Sequence, residues 1–365
     1  MRVFLCDHCK QLVFFENTLC NSCNRCLGFD PAEMQIRSFE KKEGDVLLTR
    51  VSDGKAYRYC DNKKHSACNW VVEAQSPSAF CSACQYNNNI PRISDRNLSL
   101  WRKLEVAKKR LVYSMYRWNL HVPSKQANPE TGLEFDFLEE LEDQKVFTGH
   151  AEGTITINIE EADDAVRAKN RQLLNEPYRT LLGHFRHEVG HYFWDLFFCQ
   201  ENEREAFRAV FGDERVDYQE SLKKHYENKN DSADWKQHYV TDYAASHPWE
   251  DWAETWAHYI HIVDTLETAY ATSETYLKRL NAGMDFLPFN PYSEMDFDKI
   301  IKNWFPLTYS VNSINRSMGI SDLYPFALTD GVIEKIRFIH DLLERVEAKG
   351  FTLPQTLNRS LEEKQ

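Results

Sequence analysis

The spacing of apolar residues divides the chain into a strand-like first part and a helix-rich second part. Apolar and polar side chains alternate over residues 133–137 and 153–159, which predicts two half-buried strands. Residues 98–117 repeat apolar side chains with the period of an amphipathic helix. Further helical patterns lie at residues 162–174, 177–198, from about 248, 296–317 and 332–348. We therefore expect an α+β fold with a small sheet and many helices.

Polar residues 85–89 and Pro91 separate a cysteine-rich first part from the amphipathic helix. Short strand patterns at residues 12–15 and 45–51 lie among the cysteines of that first part. The chain is accordingly predicted to have three parts, namely a tandem zinc-ribbon region over 1–95, a connecting helix over 96–120 and a mostly helical main domain over 121–365.

The composition is that of a globular protein, with 42% hydrophobic and 13% aromatic residues. No run of about 18 apolar residues and no secretory signal are present, so we expect no membrane association and a cytoplasmic location. The net charge of −12 is unevenly distributed, because residues 1–120 hold 19 basic and 12 acidic side chains while the remainder holds 25 and 44. An acidic main domain argues against a nucleic-acid partner.

Nine of the ten cysteines precede residue 85, and in a reducing compartment such clustering indicates metal ligation. The pairs Cys6-x-x-Cys9 and Cys20-x-x-Cys23 form two knuckles that can converge on one structural zinc ion. The second predicted zinc site consists of Cys60, Cys68, Cys81 and Cys84.

Two residues leave the ligand assignment open. Cys26 could replace Cys23, since it forms a further Cys-x-x-Cys pair, and His65 could replace Cys60 or Cys68. Both sites have four ligands and therefore no open position for chemistry. We expect them to stabilise the fold or to bind a protein partner.

The candidate catalytic motif is the His-Glu-Val-Gly-His sequence of residues 187–191. On a helix, His187 and His191 lie one turn apart on the same face, so both imidazoles can reach one zinc ion. Glu188 then takes a proton from a zinc-activated water and passes it to the leaving amine. The alternative is a buried helix whose histidines only form hydrogen bonds.

The third ligand has to come from farther along the chain. Trp194 and Phe197 occupy the positions at which an extended metzincin motif would have glycine and histidine. Glu250 and Glu254 share one face of the next predicted helix, which favours Glu250 as the third zinc ligand and Glu254 as the carboxylate that orients a ligating histidine. His258 lies on the same stripe and is an alternative ligand.

Two features near this helix suggest substrate contacts. Tyr243 could donate its phenol to the oxyanion of the tetrahedral intermediate, or it could only pack. The strand at residues 153–159 could hold a substrate backbone at an exposed edge, or it could be an ordinary strand of the sheet.

The sequence from His187 to Trp194, together with residues 247–261, resembles the bacterial zinc-binding metallopeptidase family called Peptidase Mx. The resemblance covers nearly the whole chain and implies an N-terminal zinc ribbon ahead of a zincin-like domain. More distantly, Tyr243 and the Glu250-x-x-Ala-Glu254 sequence are similar to lethal-factor-type gluzincins. That similarity implies that Glu250 binds zinc and that Tyr243 assists.

These observations predict a zinc-dependent metallopeptidase of gluzincin type, which cleaves a peptide or protein substrate with one catalytic and two structural zinc ions. Two other functions compete with it. The chain could be a zinc-ribbon adaptor with an inactive peptidase-like body, although an intact motif counts against inactivity. It could also be a zinc hydrolase of a non-peptide amide.

Overall fold

Short antiparallel strands surround the two cysteine clusters. The structure is a computed structural model that describes residues 2–41, 44–141, 145–173, 180–227, 233–280 and 289–357. Strands β1 (Phe4–Leu5) and β2 (Leu12–Val13) form a hairpin. A five-stranded antiparallel sheet follows in chain order, made of β3 (Cys26–Asp30), β4 (Gln35–Glu40), β5 (Leu48–Arg50), β6 (Ala56–Tyr59) and β7 (Val71–Glu73).

Helix α1 (Asp95–Arg117) joins the cysteine-rich part to the rest of the chain. The Ser94 side chain caps it by accepting a hydrogen bond from the Asn97 backbone N–H. The rings of Phe15 and Phe29 lie 5.6 and 6.3 Å from the ring of Tyr113 on α1, centroid to centroid. One hydrophobic core therefore runs from the cysteine-rich part into the helical part.

The main sheet is mixed and has four strands in the order β10-β11-β9-β8. Its strands are β8 (Asn87–Asn89), β9 (Glu134–Leu138), β10 (Gly149–Ala151) and β11 (Thr154–Asn158). Strand β11 pairs with β10 on one side and with β9 on the other. The suggestion that this strand is an exposed edge for substrate is thus wrong, because both of its sides are occupied. Strand β8, from the cysteine-rich region, completes the sheet by pairing with β9.

Helices make up most of the second half of the chain. They are α2 (Asp164–Leu173), α3 (Leu181–Phe197), α4 (Glu201–Phe211), α5 (Tyr218–Glu227), α6 (Pro248–Leu280), α7 (Phe297–Ser317) and α8 (Asp330–Lys349). Helix α3 lies within the predicted range 177–198, of which residues 177–179 are outside the described residues. The predicted α+β class with a cysteine-rich first part is confirmed. Among the residues described, no helix combines the length and apolarity that a membrane crossing needs.

Helices α3 and α6 pack closely, and a glycine makes this approach possible. A Cβ atom on Gly190 would lie 3.1 Å from Cα of Ala253 and 3.1 Å from Cδ1 of Trp256. The indole of Trp252 donates a hydrogen bond to the Gly190 carbonyl at 2.8 Å. The glycine between the two motif histidines therefore brings their helix against the helix that carries Glu250.

Candidate metal centre

Three side chains from α3 and α6 meet where the two helices pack. The Nε2 atoms of His187 and His191 lie 3.1 Å apart. Oε2 of Glu250 lies 3.0 Å from the first of these nitrogens and 3.4 Å from the second. His191 and Glu250 are buried, and His187 is partly buried. Three donor atoms thus form a compact triangle with little access for bulk water.

This triangle fits a zinc ion. Ligand atoms bound tetrahedrally to zinc at about 2.0–2.1 Å lie roughly 3.3 Å from one another, which is close to the observed separations. Oε2 of Glu250 is buried and has no hydrogen-bond partner. A buried carboxylate oxygen without a partner is costly, and a cation between it and the two imidazoles would remove that cost. Two imidazoles and one carboxylate are also a donor set that zinc prefers.

Glu254 lies one helical turn after Glu250 and contacts the opposite side of the His187 ring. Its Oε1 atom lies 2.8 Å from Nδ1 of His187, and its Oε2 atom accepts a hydrogen bond from the Thr241 hydroxyl at 2.7 Å. A proton on Nδ1 leaves Nε2 with a lone pair for metal. Glu254 is therefore placed to orient His187, and Thr241 to orient Glu254.

Glu188 follows His187 on α3 and is 9% exposed. Burial raises the pKa of its carboxyl to about 7, and the neighbouring His187 counteracts part of this shift. A carboxyl group with a pKa near neutrality can both accept and release a proton at physiological pH. Its position and protonation properties suit a general base.

Two tyrosines border the triangle. The ring of Tyr243 lies 5.9 Å from the ring of His187, and burial holds the pKa of its phenol well above the usual range. Tyr218, the first residue of α5, donates a hydrogen bond to Oε1 of Glu250 at 2.7 Å. Both phenols are therefore protonated donors, but only Tyr218 contacts Glu250 by a hydrogen bond in the structure.

The two predicted cysteine sets each come together around one point. In the first set, Sγ of Cys6 lies 3.8 Å from that of Cys23, and Sγ of Cys9 lies 3.5 Å from that of Cys20. In the second set, which contains Cys60, Cys68, Cys81 and Cys84, all four residues are buried and the four sulfurs lie within 4.8 Å of one another. Sulfurs bound to zinc at about 2.3 Å lie roughly 3.8 Å apart, so both sets fit the ion.

Three residues considered as alternative ligands, His258, His65 and Cys26, are not part of the three ligand groups described above. Nδ1 of His258 lies 2.7 Å from the hydroxyl of Tyr324, and the ring of His65 lies 5.8 Å from that of Trp101. Cys26 begins β3 and, like the two histidines, belongs to none of the ligand groups found among the described residues. Their contacts are those of packing and hydrogen bonding.

A further His/Asp/Glu group lies on α8 and was not predicted. It consists of His340, Asp341 and Glu344. Nδ1 of His340 lies 2.9 Å from the hydroxyl of Tyr259, and Nε2 lies 3.3 Å from the carbonyl of Met295. Both ring nitrogens of this histidine therefore already have protein partners.

Tyr218 and Thr241 are the two site residues that the sequence did not reveal. They come from the start of α5 and from the segment ahead of α6, at no fixed spacing from the motif. Their partners, Glu250 and Glu254, were recognisable only as a pair on one helical face. Nothing in the chain order indicates which hydroxyl reaches which carboxylate.

Two family models match different parts of the chain. A family model described as "Putative zinc-binding metallo-peptidase" matches residues 97–342, and one described as "zinc-ribbon domain" matches residues 3–95. The first match covers more than half of the chain, including the residues of the triangle. The chain belongs to this metallopeptidase family. The family resemblance given by the motif and the ribbon region is thereby confirmed.

Relatives of this family member occur in mycobacteria. Proteins of Mycobacterium bovis and of two strains of Mycobacterium tuberculosis, each described as an uncharacterized protein, are 38% identical over 350 residues. The alignment covers 95% of this chain and 96% of each relative, so the similarity extends over both the zinc-ribbon region and the metallopeptidase region of this chain. No solved structure matches the chain.

Proposed function

We propose that this protein is a zinc-dependent peptidase of gluzincin type. The observation that carries the proposal is the convergence of His187 Nε2, His191 Nε2 and Glu250 Oε2 within 3.4 Å of one another. Two histidines from one helix and a glutamate from a later helix define the gluzincin ligand set. The motif helix, the mixed sheet and the following ligand helix also support a zincin-like arrangement. Zinc at this set would supply a Lewis acid that lowers the pKa of water and polarises a carbonyl group.

Three residues around the triangle have the remaining roles in catalysis. Glu188, which is buried and follows His187 on α3, is the general base that takes a proton from the attacking water and releases it to the leaving amine. Glu254 holds the His187 ring in the tautomer that leaves Nε2 free. Tyr243, which remains protonated, donates to the developing oxyanion.

The two cysteine sets are proposed to hold structural zinc, which gives three ions per chain. The second set adjoins α1, where Sγ of Cys84 lies 3.8 Å from Oε2 of the buried Glu105. Strand β8 begins three residues after Cys84 and pairs with β9. Zinc in this set therefore stabilises the attachment of the ribbon region to the helical domain. Binding of a protein partner is a second proposed role of the zinc-ribbon region.

The decisive experiment digests a broad peptide library with zinc-loaded protein and with Glu188→Gln. Glutamine keeps the size of the side chain but removes the base, so zinc should stay bound while cleavage falls by at least roughly 10²-fold. Glu205→Gln on the exposed surface of α4 is the matched control and should cleave like the wild type.

Three outcomes separate the competing functions. Cleavage that depends on Glu188 supports the peptidase. Cleavage of small non-peptide amides without any peptide cleavage would favour the other hydrolase. No hydrolysis by the zinc-loaded wild type, with a stable protein complex formed through the ribbons, would favour the adaptor.

A further inference from the structure

Tyr218 forms a contact that the proposed chemistry has not used. Its phenol donates to Oε1 of Glu250 at 2.7 Å, while Oε2 of the same carboxylate lies against the two imidazole nitrogens. The two oxygens of Glu250 thus have different surroundings, because only Oε1 accepts a hydrogen bond. We propose that Tyr218 is a positioning residue that restricts Glu250 to binding zinc through one oxygen, which keeps a coordination position open for water and substrate. The inference rests on the zinc site proposed above.

The surroundings hold the phenol in place. The Tyr218 ring packs edge-on against His247 and Trp249, with centroids 5.2 and 5.9 Å away. Nδ1 of His247 accepts the backbone N–H of Trp249 at 3.1 Å, and its Nε2 donates to the carbonyl of Val216 at 3.2 Å. The residues that immediately precede Glu250 therefore also fix the start of α5. Hydrogen bonds and packing together determine where the Tyr218 hydroxyl lies relative to Glu250.

The same aromatic group connects Tyr218 to the second histidine. The ring of Trp249 lies 3.7 Å from that of His191, at an interplanar angle of 37°. Trp249 thus packs against His191 on one side and Tyr218 on another. Its packing therefore ties the position of the Tyr218 ring to that of His191, a proposed zinc ligand.

Whether Glu250 binds zinc through one oxygen or two determines the coordination number of the ion. A catalytic zinc site has three protein ligands and a water, and it can expand to five-coordinate when the substrate binds. A carboxylate that chelates with both oxygens would already occupy the fifth position. A hydrogen bond to Oε1 competes with chelation because it engages the oxygen that would form the second bond. Removing the phenol hydroxyl should allow Glu250 to chelate. Zinc would remain bound with its water, but as a five-coordinate ion with no position left for the substrate.

The test uses the full chain with cobalt in the triangle, because the visible absorption of Co²⁺ changes with coordination number. We expect Tyr218→Phe to bind the ion and to show the weaker absorption of a five-coordinate site, and its zinc form to lose about 10- to 100-fold in kcat. Tyr239→Phe is the matched control, since Tyr239 is also partly buried but contacts Lys335 instead. Its cobalt spectrum should equal that of the wild type.

A second pair of variants isolates the mechanism. Glu250→His offers one nitrogen and cannot chelate, so adding Tyr218→Phe to it should leave the cobalt spectrum unchanged. An unchanged spectrum for Tyr218→Phe in the wild-type background would overturn the proposal, including the case in which kcat falls. Loss of cobalt from Tyr218→Phe would also overturn it, because the phenol would then be needed for binding itself. These spectra do not depend on peptide cleavage, so they remain informative if the protein is not a peptidase.

Discussion

Nδ1 of His187 lies 2.8 Å from Oε1 of Glu254, on the side of the imidazole ring that faces away from Glu250. The two glutamates of α6 therefore contact opposite nitrogens of one histidine. Glu250 is placed to share a metal with it, and Glu254 to hold its proton. This division assigns different consequences to the loss of each carboxylate.

Glu250→Ala should release the catalytic zinc, because it removes a metal bond. Glu254→Ala should retain it with an affinity about 10- to 100-fold weaker, because only the orientation and basicity of His187 are affected. Competition of each variant with a zinc-binding dye measures the difference. If Glu250→Ala retains the zinc affinity of the wild type, another side chain is the third ligand.

Tyr243→Phe should lower kcat by about 10²-fold and leave KM nearly unchanged. The reason is that a hydrogen bond to the oxyanion forms mainly in the transition state. Steady-state kinetics on a peptide found in the library digest give both constants. Undiminished kcat would reduce Tyr243 to a packing residue against His187.

Helical spacing explains why the triangle could be anticipated before the structure. His187 and His191 are four residues apart, as are Glu250 and Glu254, and such pairs occupy one face of a helix. The alternation in residues 153–159 likewise corresponds to β11. These features depend on local periodicity, which a single chain displays directly.

Contacts between distant elements could not be anticipated in the same way. The polar residues 87–89 have no strand periodicity, yet they form β8 because β9 supplies hydrogen-bond partners. The pairing of β11 on both sides is also a property of the whole sheet. Tyr218 precedes Glu250 by 32 residues in the chain. No regular spacing of residue types indicates that the chain folds back so that these two side chains meet.

Gly190→Ala should disturb the site by separating α3 from α6. Alanine favours the helix by about 1 kcal/mol, but the new methyl group would lie 3.1 Å from Ala253 and Trp256, and overpacking costs about 1–3 kcal/mol. We expect a small loss of unfolding free energy and a clear loss of zinc affinity, measured by denaturation and dye competition. Gly149→Ala is the control, since its Cβ would meet nothing within 4 Å. Equal zinc affinity in both variants would contradict the close-packing argument.

Freshly purified protein should contain three zinc ions per chain. Cys6→Ser, Cys84→Ser and Glu250→Ala should each contain one ion fewer, because each variant removes a ligand from a different set. Elemental analysis with protein quantified by amino-acid analysis measures the ratio. Fewer than two tightly held ions in the wild type would refute the assignment of the cysteine sets.

Lys108 and Glu105 form a fully buried ion pair on α1, with Nζ 2.7 Å from Oε1, directly beside the second cysteine set. Burial disfavours the charge of Lys108, but Glu105 and the Cys84 thiolate outweigh this effect and raise its pKa. Lys108→Met would leave the Glu105 carboxylate buried without its cation next to the thiolates. We expect a loss of about 3–5 kcal/mol in unfolding free energy, measured by urea denaturation of the zinc-loaded protein. Adding Glu105→Gln to Lys108→Met removes the uncompensated charge and should restore most of that loss. A single variant as stable as the wild type would show that the pair does not balance the charge of this site.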